Sequence, residues 1–111
     1  MPRRNKYGAV ATVVDGIRFA SKAEARRYGE LKILEASGEI ARLEVQPRLK
    51  CVVGGVKVCE YVADFAYWMR GDSNQRVFED VKGVETAVFK LKRKLILALY
   101  PGIRLDVIKA R

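Results

Sequence analysis

The spacing of hydrophobic and polar positions changes several times along this 111-residue chain. "AVATVVDGIRF" alternates on both sides of Asp15-Gly16, a dipeptide suited to a two-residue hairpin turn. From Ser21 the apolar positions of "SKAEARRYGELKILEASG" recur at helical spacing. Ser21 and Glu24 form an S-x-x-E capping box, and Gly38 supplies the stop. "ARLEVQP" reads as a strand limited by Pro47. "RLKCVVGG" and "VKVCEYVADFAYWM" read as one long hairpin turning at Gly54-Gly55. "RGDSNQ" is a turn and "RVFEDVKG" a further strand. Thr86 caps a second helix, about 87–100, that Pro101-Gly102 ends. "IRLDVIKA" alternates and closes the chain as a strand. Helix, about three strands, helix and strand predict one mixed α/β domain over 1–111 with a single central sheet. Residues 1–8 form a basic, flexible arm in this reading.

Composition narrows the class. Hydrophobic residues make up 50% and charged residues 32%, which suits a globular chain and not a disordered one. No run of about 18 apolar residues signals a membrane span, and no apolar stretch follows "MPRRNKYG" to make a signal peptide. The expected location is cytoplasmic, with no membrane partner. Net charge is +9, from 22 Lys+Arg against 13 Asp+Glu, as expected of a nucleic-acid binder; a soluble basic surface is the plainer explanation. The chain has no histidine. That excludes His-ligated metal sites and Ser-His or Cys-His hydrolases, and leaves acid–base work to carboxylates, Lys, Tyr or metal-activated water. A two-residue turn at Gly54-Gly55 pairs Cys51 with Val58, so Cys51 and Cys59 are expected on opposite faces of the hairpin as packing residues, unsuited to a bridge.

"VFEDVKG" carries the candidate chemistry. Alternation puts Phe78, Asp80 and Lys82 on one face of the strand, and Val77, Glu79 and Val81 on the other. Asp64 lies in "YVADFAYW", apolar on both faces, where a lone carboxylate is costly. If the two strands are neighbours, Asp64 and Asp80 converge, and a divalent cation resolves their repulsion. Lys82 then stands beside the cation as a point charge for phosphate or water. The same spacing also fits a buried Asp64–Lys82 ion pair with Asp80 exposed. Glu24 falls within about 40° of Tyr28 and Leu31 on the inward helix face, either as a third acid of the site or simply as the capping glutamate.

Asp64, fifteen residues, then Asp80-Val81-Lys82, with a glutamate on the preceding helix, resembles the PD-(D/E)XK nuclease superfamily. More narrowly, "VVDGIRFASKAEARRYGELKILEASGEIARLEVQP…YVADFAYW…FEDVKG…FKLKRKL" looks like a family of small phage and prophage endonucleases, similar in layout to Holliday-junction resolvases. The resemblance spans nearly the whole chain. It implies a restriction-endonuclease-like αβββαβ core, with a mixed sheet flanked by two helices, and Mg²⁺-dependent phosphodiester hydrolysis in which Mn²⁺ substitutes. It implies metal binding by Asp64, Asp80 and the Val81 carbonyl, catalysis by Lys82, and an outer metal-linked role for Glu24. Ala63 stands where the "PD" name has proline. The superfamily's second acid is more often Glu, so Glu79 competes with Asp80 if the strand bulges. Related sequences often carry a glutamine at the position of Gln46, which otherwise reads as a polar strand end.

DNA is the expected partner, with a homodimer and other phage DNA-processing proteins as further ones. Candidate DNA contacts are Arg3, Arg4 and Lys6 on the arm, Lys22, Arg26 and Arg27 on the first helix, and Lys90, Arg93 and Lys94 on the second. The last three are expected opposite an apolar face of Val88, Leu91, Leu95 and Leu99, and a merely solvated face is the alternative. The expected activity is a DNA endonuclease acting on branched or duplex DNA. The alternative is a non-catalytic nucleic-acid binder on a degenerate nuclease fold.

Overall fold

A computed structural model describes residues 10–71 and 75–110. Arg3, Arg4 and Lys6 therefore lie outside the described residues. The chain opens with a hairpin of β1 (Thr12–Val14) and β2 (Ile17–Phe19). Its turn needs positive φ at both central positions, and Asp15 (52°) and Gly16 (74°) supply it. Helix α1 (Lys22–Ala36) follows, with Ser21 as N-cap accepting the Glu24 N–H. Then come β3 (Ile40–Val45), β4 (Arg48–Val53), β5 (Val56–Val62), β6 (Phe65–Met69), β7 (Arg76–Lys82), α2 (Ala87–Leu99) and β8 (Ile103–Lys109).

The central sheet has the order β3-β6-β7-β8. Only the β7–β8 pair is parallel, joined through α2. Helix α1 covers one face, where Phe19, Tyr28, Leu31, Ile40, Phe65, Tyr67, Val77 and Val81 form a core cluster. Helix α2 belongs to the other cluster, with Phe78, Phe89, Ile96, Leu105, Ala66 and Tyr61. The expected α+β core of two helices and a mixed sheet is thus present, with the β4–β5 hairpin inserted between β3 and β6. Among the described residues no helix is long and apolar enough to cross a membrane.

Three local expectations are corrected. The long strand of 56–69 breaks at Ala63-Asp64, where β5 ends and β6 begins. Opposite the break, Gln46 takes a left-handed φ of 55° and Pro47 has no N–H for a ladder, so the paired ribbon bends on both strands at once. Second, an irregularity between Cys51 and Val52 shifts the hairpin register by one. Cys51 pairs with Cys59, not Val58, and the two side chains share a face. Third, α2 is rotated from the expected face. Phe89 and Ile96 are buried, Lys90 and Lys94 are exposed and Arg93 is half-buried, but Val88 and Leu91 also face solvent.

The rotation of α2 makes a testable contrast. Ile96 is fully buried, so Ile96→Ala should cost about 2–5 kcal/mol through lost burial and a residual cavity. Exposed Val88→Ala should stay within about 0.5 kcal/mol. Chemical denaturation of both variants checks this, and the reverse ranking would restore the face expected from the sequence.

Candidate functional site

The site lies at the C-terminal end of β7, where β6 has turned away. The register of β6 on β7 pairs Phe65 with Glu79, so Asp64 comes beside Asp80 at the break. Its backbone is held from both sides. Asp64 N–H donates to the Glu79 carbonyl (3.0 Å), and Gln46 N–H donates to the Asp64 carbonyl (2.9 Å). Gln46 therefore contributes to the site through its backbone, holding Asp64 in place; its side chain is exposed.

Backbone groups alternate along a strand in the side to which they point. Lys82 faces β8, since its carbonyl accepts from Ala110 N–H (3.0 Å). Val81 therefore directs both backbone groups toward β6, past the point where β6 has ended. Asp64 Oδ2 fills the missing ladder position by accepting the Val81 N–H at 2.7 Å. The Val81 carbonyl points to the same side.

Asp80 is 1% exposed, and its Oδ2 has no hydrogen-bond partner. Burial pushes its pKa up to about 6, although Lys82 and the Asp64 amide pull it back. The Asp64 carboxyl is also raised, mainly by burial; the Val81 amide and Lys82 oppose the shift and Glu79 adds to it. Glu24 is half-buried and accepts the Ala20 N–H at 3.2 Å. It too is raised, first by burial and then by the negative charge of Asp64, with a smaller contribution from Asp80. Lys82 opposes that shift as well. One lysine thus acts on three acids, and the α1 glutamate feels both strand aspartates. The Lys82 ammonium lies 4.7 Å from the Phe89 ring centroid, a cation–π contact that aims it under α2. Asp64 takes the Val81 amide as its partner and Asp80 is buried, so a simple Asp64–Lys82 ion pair with Asp80 exposed does not describe the site.

Glu79 departs from its alternative role as a metal ligand. It lies on the α1 face of β7, 0% exposed. Arg27 grips it bidentately, Nε to Oε1 at 2.8 Å and Nη2 to Oε2 at 2.7 Å, and the Tyr67 hydroxyl donates to it. Arg27, expected to contact DNA, is consequently engaged inside the fold and also bonded to Glu30 at 3.2 Å. Its pKa is driven up, first by the Glu79 hydrogen bond, and that of Tyr67 rises through burial and the same carboxylate. Arg26 remains exposed, as does Lys22. Arg26, Arg27 and Lys109 line a shallow depression of about 250 Å³ beside Val81. Lys109 was not among the cations expected to contact DNA. Its signal was the parallel β7–β8 pairing, which sets it opposite Lys82.

Among the described residues no three acidic or cysteine side chains stand together as a ready metal cage. The oxygens that could serve a cation here are two carboxylates and one backbone carbonyl, with Glu24 farther out. Oxygen donors of this kind suit Mg²⁺, which keeps several waters and uses few protein ligands. The unpartnered Asp80 oxygen is the observation that fits a cation here.

The chain matches the family described as "Protein of unknown function (DUF1064)" over residues 4–111, and it belongs to that family. No curated protein and no solved structure matches it significantly.

Two outcomes follow from these buried charges. The unfolded chain titrates Asp80 near 3.8 and the folded chain near 6, so between those values the folded state holds the extra proton. Acidification through this window should stabilise the metal-free protein, and raising the pH through 6 should remove that contribution. Asp80→Asn should stabilise the metal-free protein at pH 7 by roughly 1–3 kcal/mol and flatten the dependence. Arg27→Leu leaves Glu79 buried without its cation and should cost about 3–5 kcal/mol. Thermal unfolding between pH 4 and 8 in EDTA checks both, and an Asp80→Asn protein less stable than the parent would contradict the burial argument.

Proposed function

We propose that this chain is a divalent-metal-dependent DNA endonuclease that hydrolyses phosphodiester bonds in branched or duplex DNA. The observation that carries the reading is the buried Asp80 carboxylate, whose Oδ2 has no partner, beside Asp64, with Lys82 two residues on and acting on both. A buried acid without a partner is a stability liability. A buried acid oxygen left open at a strand end, next to a second acid, supports a role in binding a cation.

Asp64, Asp80 and the Val81 carbonyl would hold Mg²⁺, which supplies positive charge for a bound phosphodiester and acidifies water. Lys82 donates a fixed positive charge at the edge of this acid group, where the reacting phosphate gains negative charge in the transition state. Glu24 would take the outer, metal-linked role, near enough to both aspartates to feel their charge. Exposed Lys90 and Lys94 on α2, Lys22 and Arg26 on α1, and Lys109 on β8 are cations available for flanking phosphates. The net charge of +9 supports the same partner.

Plasmid nicking with Mg²⁺ against EDTA tests the reading. Asp64→Asn and Asp80→Asn should each abolish cleavage while leaving DNA binding in place. Lys82→Ala should lose at least about a hundredfold in rate, on the scale of one preorganised electrostatic contact, while calorimetric Mg²⁺ binding survives. Lys90→Ala with Lys94→Ala should flatten the salt dependence of DNA binding by about two phosphate contacts. Binding without cleavage by the parent protein would support the non-catalytic reading, and parental cleavage by Asp80→Asn would sink the site.

A further inference from the structure

The two cysteines stand outside the acid cluster and no step above uses them. The register of β4 on β5 makes Cys51 and Cys59 direct cross-strand partners, with side chains on one face. Ala63 N–H donates to the Pro47 carbonyl at 3.1 Å, which marks 47/63 as a hydrogen-bonded pair. Counting by twos along this ladder makes 51/59 one as well, with Cα atoms typically about 5.5 Å apart. That lies inside the disulfide range, about 4.4–6.8 Å. Both thiols are free.

We propose that Cys51 and Cys59 are a covalent modification site: a reversible cross-strand disulfide formed by exchange with a low-molecular-weight disulfide. The two sulfurs have unequal access. Cys51 is 0% exposed under α2, packed in the cluster that holds Phe89 and Ile96. Cys59 is half-buried and reachable. Burial and a hydrogen bond with Cys59 hold the Cys51 thiol in its protonated form, although nearby Lys92 works against this. The Lys92 ammonium donates to the carbonyl of Glu60, the neighbour of Cys59, at 3.2 Å, and so places a cation next to the pair.

These facts order the steps. The Cys59 thiolate attacks one sulfur of the small disulfide, forming a mixed disulfide and releasing one thiolate. Cys51 then loses its proton, and its sulfur attacks Cys59 Sγ. The Cys51–Cys59 bond forms and the second small thiol leaves. Two protein thiols are oxidised and one small disulfide is reduced to two thiols. The second step is intramolecular between ladder partners, so the mixed disulfide should not accumulate. Each exchange step runs in both directions, so the ratio of small disulfide to reduced thiol sets how much of the bridge forms. Reversal by excess reduced thiol follows.

The proposal is independent of the endonuclease reading. The test incubates the native full chain with oxidised glutathione, quenches it with acid, and alkylates it in denaturant before intact-mass analysis. The expected product has lost two hydrogens and both alkylation sites, carries no glutathione, and is restored by reduced glutathione. Cys51→Ser should instead accumulate one glutathione adduct on Cys59, and Cys59→Ser should resist modification while folded. A stable glutathione adduct on the parent protein, or two thiols that remain alkylatable after exposure, would overturn the proposal whatever the variants do.

Discussion

Two adjacent buried carboxylates on β7 meet opposite fates, and the arrangement of this protein turns on the first of them. Glu79 accepts two hydrogen bonds from Arg27 and one from Tyr67. A carboxylate so fully partnered is tolerable in a core, whereas removing the guanidinium leaves a bare buried charge. The ion pair therefore fastens α1 to the middle of the sheet. Glu24 lies one helical turn before Arg27, so the same clamp carries it to the end of β7. Asp80, the next residue along, points to the other face and has an oxygen with no partner at all. Its cost is borne by a scaffold that Glu79 and Arg27 make rigid.

Asp64 has a comparable double character. Its carboxylate does what a backbone carbonyl does elsewhere in the ladder, accepting the Val81 N–H where β6 has left the sheet. The departure is written locally by Gln46 and Pro47, one in a left-handed conformation and the other unable to donate. A break in pairing exposes backbone groups, and the aspartate covers one of them. The other, the Val81 carbonyl, faces the opening. Strand end, exposed carbonyl and acid thus arise from one bend.

Much of this was legible in the sequence because it follows from parity. Period-2 alternation set Asp80 and Lys82 on one face and Glu79 on the other, and the structure keeps that division. The caps at Ser21 and Thr86 and the turn at Asp15-Gly16 were readable because specific backbone geometry demands those residues. The break at Ala63-Asp64 was hidden inside an unbroken apolar run, since its cause lies on the partner strand. The Cys51–Cys59 pairing depended on a one-residue irregularity that turn chemistry does not announce. Arg27 looked like one more surface cation; only the sheet tells which arginine finds a buried glutamate. The rotation of α2 was obscured because Val88 and Leu91 are as apolar as the residues that do pack inward.

The electrostatics of the proposed site are at odds with those of the whole molecule, and the conflict has a consequence. The chain is strongly basic overall, at +9, yet the end of β7 gathers three acids whose pKa values are all raised, opposed by the single charge of Lys82. If DNA is the partner, the basic surface would attract it while the acid group would repel the phosphate that came closest. Under the proposed function a cation bound between the two aspartates removes that repulsion, and the arriving phosphate in turn adds negative charge that favours the cation. Each ligand then raises the affinity for the other by the same factor. On that reading the unpartnered Asp80 oxygen marks where the cation would sit, and the coupling arises because each ligand would cancel the charge that opposes the other.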